Sequence, residues 1–244
     1  MLSLSGKHCV VTGGSRGIGL AIAKLFASEG ATCTLVGRHR ETLIKAVSSL
    51  EQSPHVRLHS HEVFSVASER AWQLLIDRFK KERIDILVNA AGVSLDSLLY
   101  RTDLDALQET LDVNLKGTIL GCRFVIPKMM RQNEGCIINV SSILASHGGR
   151  GASVYAATKA GIIALTRSLA WEVGRFNIRA NVIQPGYINT DMTAAMADKR
   201  DIQALIPMRR LGLVGDVAEA AAFLAKNSYA HNCVLRIDGG LSAT

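Results

Sequence analysis

Aromatic residues make up only 5% of this 244-residue chain, and there are just four prolines. So few aromatics cannot interleave with basic residues as a stacking platform for bases. The basic residues themselves are dispersed, with only short pairs such as Lys80-Lys81 and Arg209-Arg210. No nucleic-acid partner is expected. The prolines (Pro54, Pro127, Pro185, Pro207) are read as marking loops or a helix edge, and no Pro/Ser-rich linker, repeat or low-complexity tract divides the chain. One domain over residues 1–244 follows. Long apolar runs are missing as well: each is broken by charge or Gly before about 18 residues, which excludes a membrane-spanning helix and a membrane partner. The five cysteines are scattered, odd in number and without a Cys-x-x-Cys pair, and so read as reduced core thiols of an intracellular protein. Met1 to Lys7 run straight into a strand pattern, leaving no room for a secretory signal or a long cleavable transit peptide. A processed form or an uncleaved internal signal gives the same reading.

Acidic residues are in deficit, 21 against 28 basic, for a net charge of +7. With the charge spread out, a phosphorylated cofactor or an acidic partner fits better than a polyanionic surface. The 48% hydrophobic content is enough for a large core. Short apolar runs alternate with helical patterns: strands at 7–12, 32–37, 56–63, 84–88, 136–141, 178–184 and 233–237, and helices at 18–29, 40–51, 67–82, 154–174 and 215–226. A long helix or helix pair covers 103–132, and a short helical segment follows Thr190. This alternation predicts a single-domain, Rossmann-type α/β fold: a doubly wound parallel sheet of about seven strands with helices on both faces. Residues 186–213, rich in Met, Ala and Arg, are the expected substrate lid.

Thr12-Gly13-Gly14-Ser15-Arg16-Gly17-Ile18-Gly19 follows the first strand and opens a helix. Glycines at 13, 17 and 19 permit a tight turn, close backbone approach to a pyrophosphate, and tight helix packing, although the spacing Gly-x-x-x-Gly-x-Gly departs from Gly-x-Gly-x-x-Gly. Simple turn chemistry is the bland alternative. The second strand ends Leu35-Val36-Gly37-Arg38-His39-Arg40, without the carboxylate that an NAD-selective site places on the ribose 2′-hydroxyl. Arg38, assisted by Arg16, pairs instead with a 2′-phosphate and predicts NADPH/NADP+; the alternative is that both arginines are solvated surface residues.

Tyr155 and Lys159 are four residues apart in a helical pattern, and Ser142 lies thirteen residues before the tyrosine. The i, i+4 spacing puts the ammonium one turn from the phenol, where a fixed cation is expected to lower its pKa, and the serine hydroxyl would hold a carbonyl oxygen. That trio is a candidate acid catalyst for carbonyl reduction. Taken alone, Tyr-x-x-x-Lys is ordinary helix surface. Asn114 reads as a helix-kink asparagine bonding backbone. Ser141 and Ser142 are alternatives as strand-end caps, with spacing favouring Ser142 as the functional one. Met129 and Met130 are read as core or interface filling. His59, His61 and Glu62 lack a further ligand at useful spacing, so no metal is expected.

The Gly-rich loop, Asn89-Ala90-Ala91-Gly92, Asn114, Ser142, Tyr155, Lys159 and Pro185-Gly186, in this order, resemble the short-chain dehydrogenase/reductase superfamily over the whole chain. The subgroup most similar is 3-oxoacyl-[acyl-carrier-protein] reductase, through Asp96 to Arg101, Pro185 to Met192, Ile206 to Gly212 and Ile237 to Gly240. The resemblance implies NADPH-dependent reduction of 3-oxoacyl chains on acyl carrier protein in fatty acid biosynthesis. Hydride would pass from the nicotinamide to the 3-keto carbon. It implies Tyr155 as acid, Ser142 as carbonyl orienter, Lys159 on the nicotinamide ribose and Asn114 holding a relay water. Gly13, Ser15, Arg16, Gly17, Ile18 and Gly19 would line the pyrophosphate. Asn89, Ala90 and Gly92 would lie on the adenosine side, and Pro185, Gly186, Ile188 and Thr190 by the carboxamide. Glu62, with Val63, replaces the usual adenine-contacting aspartate. Asn133 and Phe176 replace carrier-docking arginines, with Lys128, Arg131 and Arg175 nearby, and Ala230-His231-Asn232-Cys233 replaces a usual Tyr-Ile-Thr-Gly stretch. A homotetramer is implied, built on helices 103–132 and 154–174, with a heteromer with a related subunit left open. The mitochondrial matrix is favoured, with a cytoplasmic location as the alternative. Reduction of quinones, steroids or other carbonyls, and a non-catalytic NADPH-binding subunit, are the competing functions.

Overall fold

The computed structural model describes residues 3–52, 58–194 and 199–243. Seven strands form one sheet: β1 (His8–Thr12), β2 (Thr32–Gly37), β3 (Ser60–Val63), β4 (Ile86–Asn89), β5 (Gly135–Val140), β6 (Ile178–Pro185) and β7 (Val234–Ile237). They lie in the order β3-β2-β1-β4-β5-β6-β7, every neighbouring pair parallel. The helices are α1 (Gly17–Ser28), α2 (Arg40–Ser48), α3 (Glu69–Arg78), α4 (Leu104–Thr110), α5 (Gly117–Gln132), α6 (Leu144–His147), α7 (Ser153–Val173), α8 (Asp191–Ala194), α9 (Lys199–Leu205) and α10 (Val214–Lys226). The chain starts mid-sheet, winds outward to β3 and returns beside β1 as β4, which opens a crevice between β1 and β4 where the winding reverses.

Both sheet faces are covered, which is why the strands read as continuous apolar runs. Successive side chains alternate between two cores. Cys9 and Val11 of β1 join Cys136 and Ile138 of β5 beneath Phe26 of α1, Leu43 of α2 and Val217 of α10. Val10 and Ile137, one residue along, lie in the opposite core with Trp72 of α3, Met129 of α5 and Leu169 of α7. Four cysteines are buried free thiols and the fifth, Cys233, is partly buried.

Several boundaries differ from the sequence expectation. Strand β3 starts at Ser60, and residues 56–57 of the expected strand, like Pro54, lie outside the described residues. His59 stands just before it, its Nδ1 accepting from the Cys33 N–H at 3.0 Å. Pro127 is not at a helix edge but inside α5. It is solvent-exposed, so the helix carbonyl that loses its partner can turn to water. The 103–132 helix is a pair, α4 and α5, joined by a π-helical turn at Leu111–Lys116. Residues 195–198 of the expected lid lie outside the described residues; within the rest of it are α8, α9 and a backbone bridge from Ile188 to Gly212.

Lys128 is a correction. It is 6% exposed, and its ammonium donates to the Phe79 carbonyl at 2.7 Å, satisfying the C-terminal end of α3 instead of facing a docking partner. Asn133 ends α5 in the left-handed region at φ 52°, a conformation asparagine tolerates better than arginine. His231, in the departing C-terminal stretch, accepts from the Ala180 N–H at 3.1 Å and bonds the Ala170 carbonyl at 2.9 Å, joining β6 to α7 within the subunit.

Candidate active site

Because all seven strands run the same way, their C-terminal ends share one rim. Thr12 is level with Val36 and Asn89, Val140 with Ile183, and Pro185 with Ile237. The expected site residues follow these ends: the Gly-rich loop after β1, Arg38 after β2, Glu62 and Val63 at the end of β3, Asn89 to Gly92 at β4, Ser142 after β5, and Pro185 to Thr190 at β6.

The glycines divide into two roles. A Cβ at Gly13 would lie 2.8 Å from the Ala90 carbonyl oxygen, and one at Gly19 would lie 2.4 Å from the Gly13 carbonyl oxygen. These two let the loop, the 89–92 turn and α1 interlock. Thr12 completes the joint: its Oγ1 accepts from the Ala90 and Ala91 N–H groups, both at 3.2 Å. The sequence reading missed Thr12; its signal was a threonine closing the strand before the first glycine. Gly17 differs. Its φ is +57°, and a Cβ there would meet only Thr190 Cγ2, at 3.8 Å. Its open side thus faces Thr190 across the mouth. The first turn of α1 has neither an acidic residue nor a side-chain cap, so its amides are available to an anion. A pyrophosphate fits this cradle.

Arg38 is paired with Glu109 of α4 at 2.9 Å and Arg16 with Asp191 at 3.6 Å. Both pairs are at least half exposed, so each contributes about 0–1 kcal/mol and leaves its arginine free to exchange partners. Glu62 is engaged by Arg78. Asn89 points inward: 3% exposed, it donates to Asn139 Oδ1 at 2.8 Å, and Asn139 donates to Thr166 Oγ1 at 2.9 Å. Its side chain ties β4 to β5 and α7 within the fold. Ile188 is buried, and Thr193 Oγ1 donates to its carbonyl at 2.6 Å, shaping the turn that carries Thr190.

The four remaining candidates come together. Lys159 Nζ lies 5.6 Å from the centre of the Tyr155 ring and donates to the Val140 carbonyl at 3.0 Å. The Ser142 hydroxyl lies on the phenol side of Tyr155 and acts to lower the phenol pKa. Ser141 instead donates to the Lys159 carbonyl at 2.7 Å, a structural tie. Asn114 is fully buried in the π-helical turn, its Oδ1 accepting from Val93 N–H at 2.8 Å and its Nδ2 donating to Val93 O at 3.0 Å and Thr158 Oγ1 at 3.3 Å. The kink role is thus present, and Thr158 is a second residue the sequence reading missed. A side chain at Gly92 would sit 3.4 Å from both Asn114 Oδ1 and Lys159 Nζ, so the missing side chain keeps that junction open.

Electrostatics depart from the expectation that the lysine lowers the phenol. Burial pushes the Tyr155 phenol up, and the Ser142 hydroxyl only partly pulls it back. Burial holds the Lys159 ammonium down to about 8. Desolvation outweighs charge pairing here because the ammonium is turned to the Val140 carbonyl. For the lysine, the folded value lies below the unfolded 10.5, so the native state carries a penalty below pH 8 that is relieved as pH rises from 8 to 10.5. The shift corresponds to about 3 kcal/mol, less about 1–2 kcal/mol for the Val140 hydrogen bond. Lys159→Met is therefore expected to melt above wild type at pH 7, with the gap closing by pH 10. An equal gap at both pH values in thermal melts would rule out this origin.

Among the described residues, no group of three or more His, Cys, Asp or Glu gathers as a metal site, and no helix is long and apolar enough to cross a membrane. The profile of the short chain dehydrogenase family matches residues 7–201. The chain is 40% identical over 240 residues to a bovine (Bos taurus) 3-oxoacyl-[acyl-carrier-protein] reductase, covering 98% of this chain and 99% of that one. It is 39% identical to carbonyl reductase family member 4 of Xenopus laevis, over 96% and 98%. A gluconate 5-dehydrogenase from Burkholderia cenocepacia, solved with NADP and tartrate, superposes with a TM-score of 0.92 at 29% identity, covering 100% of this chain and 98% of that one.

Proposed function

The chain belongs to the short chain dehydrogenase family of nicotinamide-dependent oxidoreductases, and from that premise we propose that it reduces 3-oxoacyl groups carried on acyl carrier protein, with NADPH, in fatty acid biosynthesis. The observation that carries the reading is the convergence of Ser142, Tyr155, Lys159 and Asn114 beside an anion-ready glycine loop. NADPH, when bound, supplies the hydride. Ser142 holds the substrate carbonyl oxygen against the phenol, and Tyr155 protonates that oxygen as charge develops on it. A phenol pushed up by burial keeps its proton throughout the neutral range, which suits reduction over the reverse reaction, where the phenolate is required. Lys159 serves the cofactor ribose and the proton path, and Asn114 braces the turn from which that path leaves.

NADPH preference rests on Arg38 at the end of β2, where no carboxylate stands. Arg38→Asp is expected to lower the preference for NADPH over NADH by about 100-fold, through loss of a charge-assisted contact and gain of repulsion. Steady-state KM values for the two cofactors check this, and an unchanged ratio removes the role of Arg38.

The name of the bovine relative and the net charge of +7, complementary to an acidic carrier, support the carrier-linked substrate. With Lys128 buried, Arg131 and Arg175 are the exposed cations near the expected docking face. A homotetramer is part of the same proposal, supported by Ile119 on α5 and Trp171 on α7, 40% and 87% exposed. The carrier chemistry fits a mitochondrial matrix or a bacterial cytoplasm. A second reading, general carbonyl or quinone reduction, is favoured by the name of the Xenopus relative and by exposed Met192, Leu205 and Met208 in the substrate segment. Initial rates with an acetoacetyl group on carrier protein, the same group on coenzyme A, and an o-quinone separate the two. Preference for the carrier-linked thioester supports the first; turnover of the quinone alone establishes the second.

A further inference from the structure

Gln184 lies next to the site yet belongs to none of the motifs above. It is the penultimate residue of β6 and fully buried. Its neighbours on either side join the strand ladder in the usual way, Ser141 N–H to the Ile183 carbonyl and Ile143 N–H to the Pro185 carbonyl, both at 2.8 Å. The side chain makes three bonds of its own. Nε2 donates to the Ser142 carbonyl at 3.0 Å and to Ser146 Oγ at 2.7 Å, and Oε1 accepts from Arg236 Nε of β7 at 3.2 Å. The amide orientation follows from its partners. A guanidinium can only donate and a backbone carbonyl can only accept, so oxygen must face Arg236 and nitrogen must face Ser142. Both amide protons are used.

We propose that Gln184 is a positioning residue for the reductase reaction, holding the Ser142 backbone, and hence its hydroxyl, against Tyr155, with Arg236 fixing the amide from behind. The Ser142 carbonyl has one other donor, the Ala145 N–H at 3.0 Å, and Ser142 Oγ accepts from Leu144 N–H at 3.3 Å. Those bonds are local to the short α6 turn and would move with it. The backbone bonds of Ser141 and Ile143 to β6 tie the residues on either side of Ser142 to the sheet, and Gln184 adds the side-chain bond that fixes the Ser142 carbonyl itself. Arg236 also borders, with Ser146, Ala160, Ile163 and Arg167, a pocket of about 330 Å³ between α6, α7 and β7, so its guanidinium reaches Gln184 from the solvent side.

The inference rests on the reductase reading above, and its test is built to fail separately. In Gln184→Leu the amide is lost at nearly constant volume. In Gln184→Glu the pairing with Arg236 is kept, but a carboxylate oxygen is set against the Ser142 carbonyl at neutral pH. Both variants are expected to lose about 10-fold in kcat on whichever carbonyl wild type turns over, with KM for NADPH unchanged. The Glu variant alone recovers as pH falls and its carboxyl gains a proton to donate. Arg236→Met is expected to lose about 3-fold in the wild-type background and nothing further in Gln184→Leu, because one chain carries both effects. Hydrogen exchange reads the geometry without turnover: residues 142–148, around α6, are expected to exchange faster in Gln184→Leu than in wild type, with α7 unchanged. Wild-type exchange and kcat in Gln184→Leu, or additive losses with Arg236→Met, overturn the proposal. If wild type reduces no carbonyl, the reductase reading fails, and the exchange result alone decides whether Gln184 holds the turn.

Discussion

Tyr155→Phe is expected to lower carbonyl reduction by about 10³-fold or more while NADPH still binds with near wild-type affinity. The substitution removes one oxygen and leaves the ring, so packing on α7 and the 5.6 Å approach of Lys159 to the ring persist. What disappears is the one proton donor that Ser142 orients. The magnitude follows from general-acid catalysis together with loss of a placed hydrogen bond to the developing oxyanion. Ser142→Ala is expected to cost less, because the phenol survives, although without the serine hydroxyl burial holds its pKa higher still. Steady-state rates with fluorescence titration of NADPH make the comparison. Retention of more than a tenth of the wild-type rate in Tyr155→Phe would remove the phenol as donor. A wild-type chain that binds NADPH tightly and reduces no carbonyl would establish the non-catalytic subunit.

Gly19→Ala is expected to melt well below wild type and to bind NADPH about 100-fold more weakly. The added Cβ would stand 2.4 Å from the Gly13 carbonyl oxygen and 2.9 Å from its carbon, and backbone cannot rotate away as a side-chain tip can. Overpacking of this kind costs about 3 kcal/mol, which for a domain of this size lowers Tm by about 6–12 °C. Opening the loop to make room also pulls amides from the anion cradle, where charge-assisted bonds contribute about 1.5–3 kcal/mol each. Gly17→Ala is the contrast. Its Cβ would meet nothing closer than 3.8 Å, so the fold cost is the left-handed strain of about 1–2 kcal/mol, while on the proposed reading the methyl projects into the side of the loop that receives the pyrophosphate. Its affinity loss is expected to exceed what its smaller Tm shift suggests. Calorimetric melts and NADPH titrations of both variants decide: a Gly19→Ala protein as stable as wild type contradicts the interlock, and a Gly17→Ala protein with full affinity moves the phosphate elsewhere.

Much of the fold was readable because burial on both faces imposes a simple pattern. In β2, Cys33 and Leu35 enter one core and Val36 the other, and such a buried apolar run is locatable from local composition alone. Order along the chain also brings the candidate residues to one rim, since each motif follows a strand and parallel strands end together. Helix interruptions were only partly legible. The kink at Asn114 was expected, but Pro127 inside α5 was not, because which side of a helix faces solvent is decided by packing.

The sequence by itself determined the alternation of strands and helices, the glycine pattern and the chemical types gathered at the site, all of which are local or periodic properties. Tertiary structure decided what each charged or polar group spends itself on. Lys128 satisfies the end of α3, Glu62 is taken by Arg78, and Asn89 is drawn inward by Asn139. Lys159 and Tyr155 are governed by desolvation more than by each other. Spacing along one helix shows that two groups can meet; hydrogen-bond partners and solvent exposure come from distant strands, and these set which interaction prevails.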